Sequence, residues 1–403
     1  MQIRPHFNWK VVGLVAALLA AAACACPGTG TLSNLVAATP TVVPPTEAPD
    51  TPVPPTVTPA DQGDTTGTTT DGGTTSGGSK NTGGTTTGGQ SISPNAITID
   101  NAANMDEIWS TNASQTALTA SAASPIDHQL ATFGFDKVVR LWDGDSQELL
   151  AELKPPHADY GFGLAYSPDG TKLASGGGFE VRVWDANTGT MLNATTVNAS
   201  VYKVVWAPDS TALAVVGQGS SRIDVINPDT GVVEFEVPNP DGVVLWSVAF
   251  SPDGSLLATG NATGDVRVVN LDTTTDEMND TTSAEGQVSD LEFSPDGRYL
   301  AACMSSQKGG IVIWNTADWT ISLSGDSLHA GGCNDGAFSP DSSVYYSVGA
   351  DGVLNAWDAA TGDNLSYLSS NASEIWSVGV TGDGELVVLA LGNGVVSVIG
   401  IPK

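Results

Sequence analysis

"SVAFSPDGSLLATG", residues 247–260, decides the fold. Small and apolar residues lead up to Phe250, the chain reverses over Pro252-Asp253-Gly254, and a second small and apolar run follows. Proline presets one turn position, aspartate bonds back to the backbone, and glycine relieves the strain of the reversal. The stretch therefore predicts two strands joined by a tight turn. The same turn returns along the chain as "SPID" at Ser124, "SPDG" at Ser167, "APDS" at Ala207, "SPDG" at Ser251 and Ser294, "SPDS" at Ser339 and "TGDG" at Thr381. The spacings are 43, 40, 44, 43, 45 and 42 residues. About eighteen residues after each turn comes a second marker: "VRLWD", "VRVWD", "IDVIN", "VRVVN", "IVIWN", "LNAWD" and "VSVIG". A period of this size, built from short strands and Gly-rich turns, predicts an all-β array with four strands per unit. Seven such units need about 300 residues, and residues 93–403 supply 311.

These registered turns and Trp-Asp strand ends resemble the WD-repeat β-propeller family over nearly all of residues 93–403. The resemblance implies a seven-bladed propeller of four-stranded blades, with an N-terminal strand completing the last blade. The last unit, "IWSVGVTGDGELVVLALGNGVVSVIGIPK", ends after its third strand, so "AITIDN" (Ala96–Asn101) is expected to supply the fourth. Full closure removes the exposed sheet edges that would otherwise pair with other chains.

The resemblance also gives a reading of "HAGGCNDGAFSPDSSVYYSVGADGVLNAWD", residues 329–358, which brings together a serine, a histidine and an aspartate. In the family a structural tetrad links a histidine, a serine or threonine, an aspartate and the tryptophan of one blade. His329, Ser347, Asp351 and Trp357 match it in blade six. Blade two keeps His157 but has Gly178 at the aspartate position, and blade one keeps Thr132, Asp136 and Trp142 without the histidine. A hydrolase would need an exposed serine and an oxyanion hole. No "GxSxG" elbow is present, and the repeat register accounts for each residue. No catalytic residue is expected.

The N-terminus, "MQIRPHFNWKVVGLVAALLAAAACAC", places Arg4 and Lys10 before a thirteen-residue apolar run. This is the layout of an export signal, and the run is short for a spanning helix. Small residues before Cys24 resemble the lipobox of bacterial lipoproteins, although Ala21 stands where leucine is usual. Cys26 is a second candidate for lipidation, and cleavage followed by release as a secreted protein is the alternative. Residues 1–23 are thus read as a cleaved export signal. Residues 24–92 are read as a lipidated cysteine followed by a Pro/Thr-rich, then Gly/Thr-rich, disordered tether. The expected location is the outer face of the cytoplasmic membrane, with membrane contact through the lipid alone.

Fourteen basic against 44 acidic residues give a net charge of −30. That field repels phosphate backbones, which argues against nucleic-acid partners. No cofactor and no metal site are expected: His6 lies in the export signal, His128 in the first blade's turn, and the cysteines form no CxxC pair. The turn aspartates, Asp143 and Asp145 among them, read as turn chemistry, with no EF-hand loop present. Cys303 and Cys333 fall in adjacent blades. Either a disulfide, which export permits, or two buried thiols fits them.

Four aromatic residues sit four positions before the anchor of an inner strand: Phe162, Tyr202, Trp246 and Trp376, in blades two, three, four and seven. Period-two alternation places each at the start of its strand, near one mouth of the ring. Phe135 is expected near the same rim. Thr119, Ser289 and Asn334 occupy the position in the other blades, so the patch would be one-sided. Aromatic residues are enriched at binding hot spots and also fill cores. The function expected is a monomeric, non-catalytic scaffold binding protein or peptide partners at this mouth. The alternatives are an envelope hydrolase, or a glycan or small-molecule receptor, using the central channel. A hydrolase would need paired inward carboxylates, and none stands out in the sequence.

Overall fold

A computed structural model describes residues 95–239, 242–273, 275–281, 286–306, 309–325, 328–370 and 373–402. The export signal, Cys24, Cys26 and the tether lie outside the described residues. The described chain is all-β apart from one short 3-10 turn, Ala102–Asn104. It forms seven antiparallel four-stranded sheets, the blades of a propeller. In chain order the blades span residues 118–152, 161–196, 200–238, 245–281, 287–325, 333–369 and 375–400. Within each of the first six, the four strands pair in sequence order from the inner strand outward.

The seventh blade closes the ring as expected, but with a different segment. Its fourth strand is Asp106–Asn112, paired antiparallel with Val395–Gly400. Ala96–Asn101 forms no strand. Asn101 folds that segment back on itself: its Nδ2 donates to the Ala96 carbonyl at 2.9 Å and its Oδ1 accepts from the Thr98 N–H at 2.8 Å. Such local side-chain bonds compete with a sheet ladder. Ile97 is buried instead beside the last two blades, and its N–H donates to the Gly384 carbonyl at 2.9 Å. The strand that does close the blade carries Trp109, buried between blades seven and one, with its Nε1–H on the Gly144 carbonyl at 2.7 Å.

The core is not one mass. It consists of seven clusters of buried side chains, each shared by two neighbouring blades. Each blade therefore buries its faces only against its neighbours, as stacked repeats do. Outermost strands are largely exposed, as in Val232–Pro238.

The recurring turn holds its shape through its side chains. In blade two the Ser167 hydroxyl donates to Asp169 at 2.6 Å and accepts from the Lys172 N–H at 3.0 Å. Where the turn ends in serine rather than glycine, that residue still takes positive φ: Ser210 at 62° and Ser342 at 63°. Each uses its hydroxyl to reach the preceding blade. Ser210 accepts from the Asp169 N–H at 3.2 Å and Ser342 from the Asp296 N–H at 3.1 Å. An inter-blade bond accompanies the strained conformation.

Candidate functional site: the strand-start mouth and the channel

Every inner strand carries a register shift at the same place. The unpaired residue is Thr119, Phe162, Tyr202, Trp246, Ser289, Asn334 or Trp376. These are the seven positions compared in the sequence, but simple alternation does not describe them. A bulge leaves one residue out of the ladder and re-aims its side chain. In five blades it also turns the following residue toward the channel, so that Ala120, Lys203, Asp290, Asp335 and Ser377 line the opening beside the bulge residue.

The bulge residues fall into two groups. Where the residue is polar it fastens its blade to the next. Thr119 Oγ1 donates to the Gly161 carbonyl, Ser289 Oγ to the Cys333 carbonyl at 2.8 Å, and Asn334 Nδ2 to the Ile375 carbonyl at 2.8 Å. Where it is aromatic no such bond is made, and the rings meet one another instead. Trp246 and Tyr202 have centroids 4.0 Å apart, Tyr202 and Phe162 5.3 Å, and Phe162 and Trp376 6.2 Å. Phe135 joins edge-on, 6.3 Å from Phe162 and 5.0 Å from Tyr160. Phe135 is 39% exposed and Tyr160 44%. The five aromatics singled out from the sequence are thus brought together with Tyr160, which the strand register did not include because it lies before its strand.

Beneath the rings is a cavity of about 800 Å³ lined by the inner strands. It holds a constellation that the sequence reading did not recognise: the inward carboxylates Asp290, Glu292 and Asp335, with Lys203 among them. The Lys203 ammonium lies 2.6 Å from Asp290 Oδ1 and 3.3 Å from Asp335 Oδ1. Burial pushes the Asp290 carboxyl up to about 6, against the pull of Lys203 and with the repulsion of Asp335. Burial likewise drives Glu292 well above the usual carboxylate range. The signal was present one residue beyond the aromatic position. Lys203, Ser247, Asp290, Asp335 and Ser377 all stand immediately after a bulge residue.

Each channel carboxylate is also a fastener. Asp290 accepts from the Gly336 N–H at 3.2 Å, and Glu292 from the Phe338 N–H at 3.2 Å. Asp335 accepts from the Ser377 hydroxyl at 2.8 Å and the Val378 N–H at 3.0 Å. These bonds stitch blade five to six and six to seven.

In blade six, Trp357 Nε1–H donates to Ser347 Oγ at 2.8 Å. Ser347 lies 2.8 Å from His329 Nε2, and His329 Nδ1 is 3.0 Å from Asp351. The order Ser, His, Asp is that of a triad, but Ser347 and His329 have no solvent exposure. No substrate reaches that hydroxyl. Blade two repeats the first half, with His157 Nε2 2.7 Å from Ser175 Oγ and Trp184 Nε1–H on the same oxygen at 2.8 Å. With Gly178 in place of the aspartate, His157 Nδ1 is buried and unpaired. Glu180 comes within 3.5 Å, but its Oε2 is already held by Arg182 at 2.8 Å. Burial and the Arg182 charge lower the His157 pKa to about 3. In blade one Trp142 Nε1–H donates to Thr132 at 2.9 Å, and Asp136 pairs with Arg140 at 2.6 Å. Cys303 and Cys333 are joined by an S–S bond of 2.05 Å between blades five and six.

Comparison with known proteins agrees with this architecture. The family described as eukaryotic translation initiation factor eIF2A matches residues 133–317. WD repeat-containing protein slp1 of Schizosaccharomyces pombe is 30% identical over 32% of this chain and 28% of its own length. The Protein LST8 homolog of Drosophila melanogaster is 24% identical over 57% of this chain and 74% of its own. WD repeat-containing protein 1 of Gallus gallus is 27% identical over 56% and 37%. The matches support the WD-repeat family. The chain spans well under two thirds of the length of slp1 and about three quarters of the LST8 homolog. WD-repeat propellers generally bind protein partners.

Proposed function

We propose that this WD-repeat propeller is a non-catalytic platform that binds a protein or peptide at its strand-start mouth. Phe162, Tyr202, Trp246 and Trp376 are the anchors. The observation that carries this reading is the division among the bulge residues. Thr119, Ser289 and Asn334 each secure the next blade with a hydrogen bond. The four aromatics give up that bond at the same structural position and form a connected surface. Large rings presented together at an opening are what interface hot spots are made of. The net charge of −30 favours a basic partner segment. The channel carboxylates Asp290, Glu292 and Asp335 weaken the hydrolase and small-ligand alternatives, because each is already bonded to the next blade.

The test is selection from a displayed random-peptide library on the intact protein and on a variant with all four aromatics changed to alanine. The reading expects Lys/Arg-rich peptides enriched on the intact protein and absent from the variant. Equal enrichment on both would remove these residues from the binding surface.

The same proposal includes presentation outside the cytoplasmic membrane by a lipid on Cys24 or Cys26. The charged n-region, the apolar run and the small residues before the cysteines support it. Mass spectrometry of the membrane-extracted N-terminal peptide tests it, with Cys24→Ala and Cys26→Ala locating the modified residue. An unmodified N-terminal peptide would refute it.

A further inference from the structure

We propose that His128, Asp383 and Glu385 form a binding site for a divalent transition-metal ion of the zinc type, placed where the first and last blades meet. His128 stands in the turn between the first two strands of blade one, and Asp383 and Glu385 in the equivalent turn of blade seven. One ligand atom from each lies within 4.8 Å of the others, although 255 residues separate His128 from Asp383. Sequence spacing gives no hint of such a pairing.

The seam departs from the rest of the ring. In the other blades the fourth residue after the turn's first bonds its own turn aspartate. Thr171 reaches Asp169 at 2.8 Å, Thr211 reaches Asp209 at 2.6 Å, Ser255 reaches Asp253 at 2.8 Å and Ser343 reaches Asp341 at 2.7 Å; Arg298 likewise holds Asp296. At the seam the corresponding residues are His128 and Glu385. The turn of His128 has Ile126 in place of the aspartate, and His128 reaches across the junction instead, with Nε2 2.7 Å from Asp383 Oδ2. His128 and Glu385 thus stand, on the two sides of one junction, at a position that a hydroxyl fills in four of the other five blades.

The surroundings suit an ion. A metal-binding imidazole commonly donates its other N–H to a carboxylate, which fixes the tautomer and the ring plane. Asp145 Oδ1 lies 2.9 Å from His128 Nδ1 and fills that role. The other oxygen of Asp383 is occupied by the Thr381 hydroxyl at 2.8 Å and the Glu385 N–H at 3.0 Å, leaving Oδ2 toward the histidine. The backbone is fixed on both sides. Gly382 N–H donates to the Ser124 carbonyl at 3.2 Å, and Gly144 N–H to the His128 carbonyl at 2.9 Å. Bonds of about 2.0–2.2 Å put tetrahedral ligand atoms roughly 3.4 Å apart, so the His128–Asp383 contact opens slightly while Glu385 closes in. One imidazole and two carboxylates select zinc-type ions over calcium or magnesium, which take oxygen ligands.

The test is calorimetric titration of Zn²⁺ into the metal-free full chain, repeated in excess Mg²⁺ and Ca²⁺. Saturation at one ion per chain is expected, unaffected by Mg²⁺ or Ca²⁺, with a rise in the thermal midpoint. His128→Ala and Asp383→Asn should abolish this binding. Asp145→Ala, which removes only the histidine's orienting partner, should weaken it 10–100-fold. Glu385→Gln, a half-buried change of one atom, serves if the first two variants fail to fold, and should also lose the ion. Undiminished binding by His128→Ala or Glu385→Gln, competition by Ca²⁺ at equal concentration, or no saturable binding by the intact chain would each overturn the assignment.

Discussion

Replacing Lys203 by methionine is the sharpest perturbation of the channel. The Lys203 side chain is 28% exposed toward the cavity, whereas Asp290 is 1% exposed, so the substitution strands a deeply buried carboxylate. Removing one partner of a buried pair costs about 3–5 kcal/mol, and the partial exposure of Lys203 places this case near about 3 kcal/mol. The cost should depend on pH with a definite sign. Asp290 is already raised from 3.8 to about 6 with its lysine present. A carboxyl raised in the folded state binds its proton more tightly there than in the unfolded chain, so stability falls as pH rises through that window. For the intact protein this amounts to about 3 kcal/mol across the window, of which about 1 kcal/mol falls between pH 5 and pH 7. Without Lys203 the carboxyl rises further, and protonation relieves more of the penalty. Urea unfolding at pH 7.5 and pH 5.0, followed by tryptophan fluorescence, should show a Lys203→Met deficit of about 3 kcal/mol at the higher pH. The deficit should shrink at the lower pH, and Lys203→Met with Asp290→Asn should recover at least half of it. A deficit below about 0.5 kcal/mol at pH 7.5, or one unchanged at pH 5.0 and in the double variant, would refute the reasoning.

Three further outcomes are expected. Ser347→Ala leaves Trp357 Nε1 and His329 Nε2 without their shared partner. It should cost about 2–4 kcal/mol, with hydrogen-exchange protection lost first in blade six; uniform loss around the ring would contradict a local strut. His157 has its pKa lowered from 6.5 to about 3, so it contributes stability that is present above pH 6.5 and lost as pH falls toward 3. Between pH 7 and pH 5 that loss is about 2 kcal/mol, and His157→Gln should remove this part of the pH dependence in urea titrations. The Cys303–Cys333 bond closes a 30-residue separation. Non-reducing peptide mapping should recover the linked pair, and reduction should cost about 3–4 kcal/mol.

The propeller was legible because its turn chemistry repeats in register: proline, aspartate and glycine act through local conformation, which a linear sequence displays directly. The closing strand was misplaced because "AITIDN" alternates like a strand. Its fate is set by Asn101, which bonds backward to Ala96, and by Trp109, which needs the pocket between blades seven and one. The aromatic positions could be read from the register, but their bulges could not, since a bulge is a property of two paired strands. Lys203, Asp290 and Asp335 belong to three blades, and only closure of the ring brings them within ion-pair distance. The same holds for His128 and Asp383. Isolated polar residues on inner strands acquire meaning only after the ring has closed.

The central claim is that the four bulge aromatics bind a partner rather than hold the blades. Calorimetric titration of the most enriched basic peptide into the intact protein and into the four-alanine variant tests it directly. Because each aromatic anchor is worth about 1–2 kcal/mol or more at a hot spot, the account predicts at least a 100-fold loss of affinity with an unchanged circular dichroism spectrum. Equal affinity in a folded variant would contradict it.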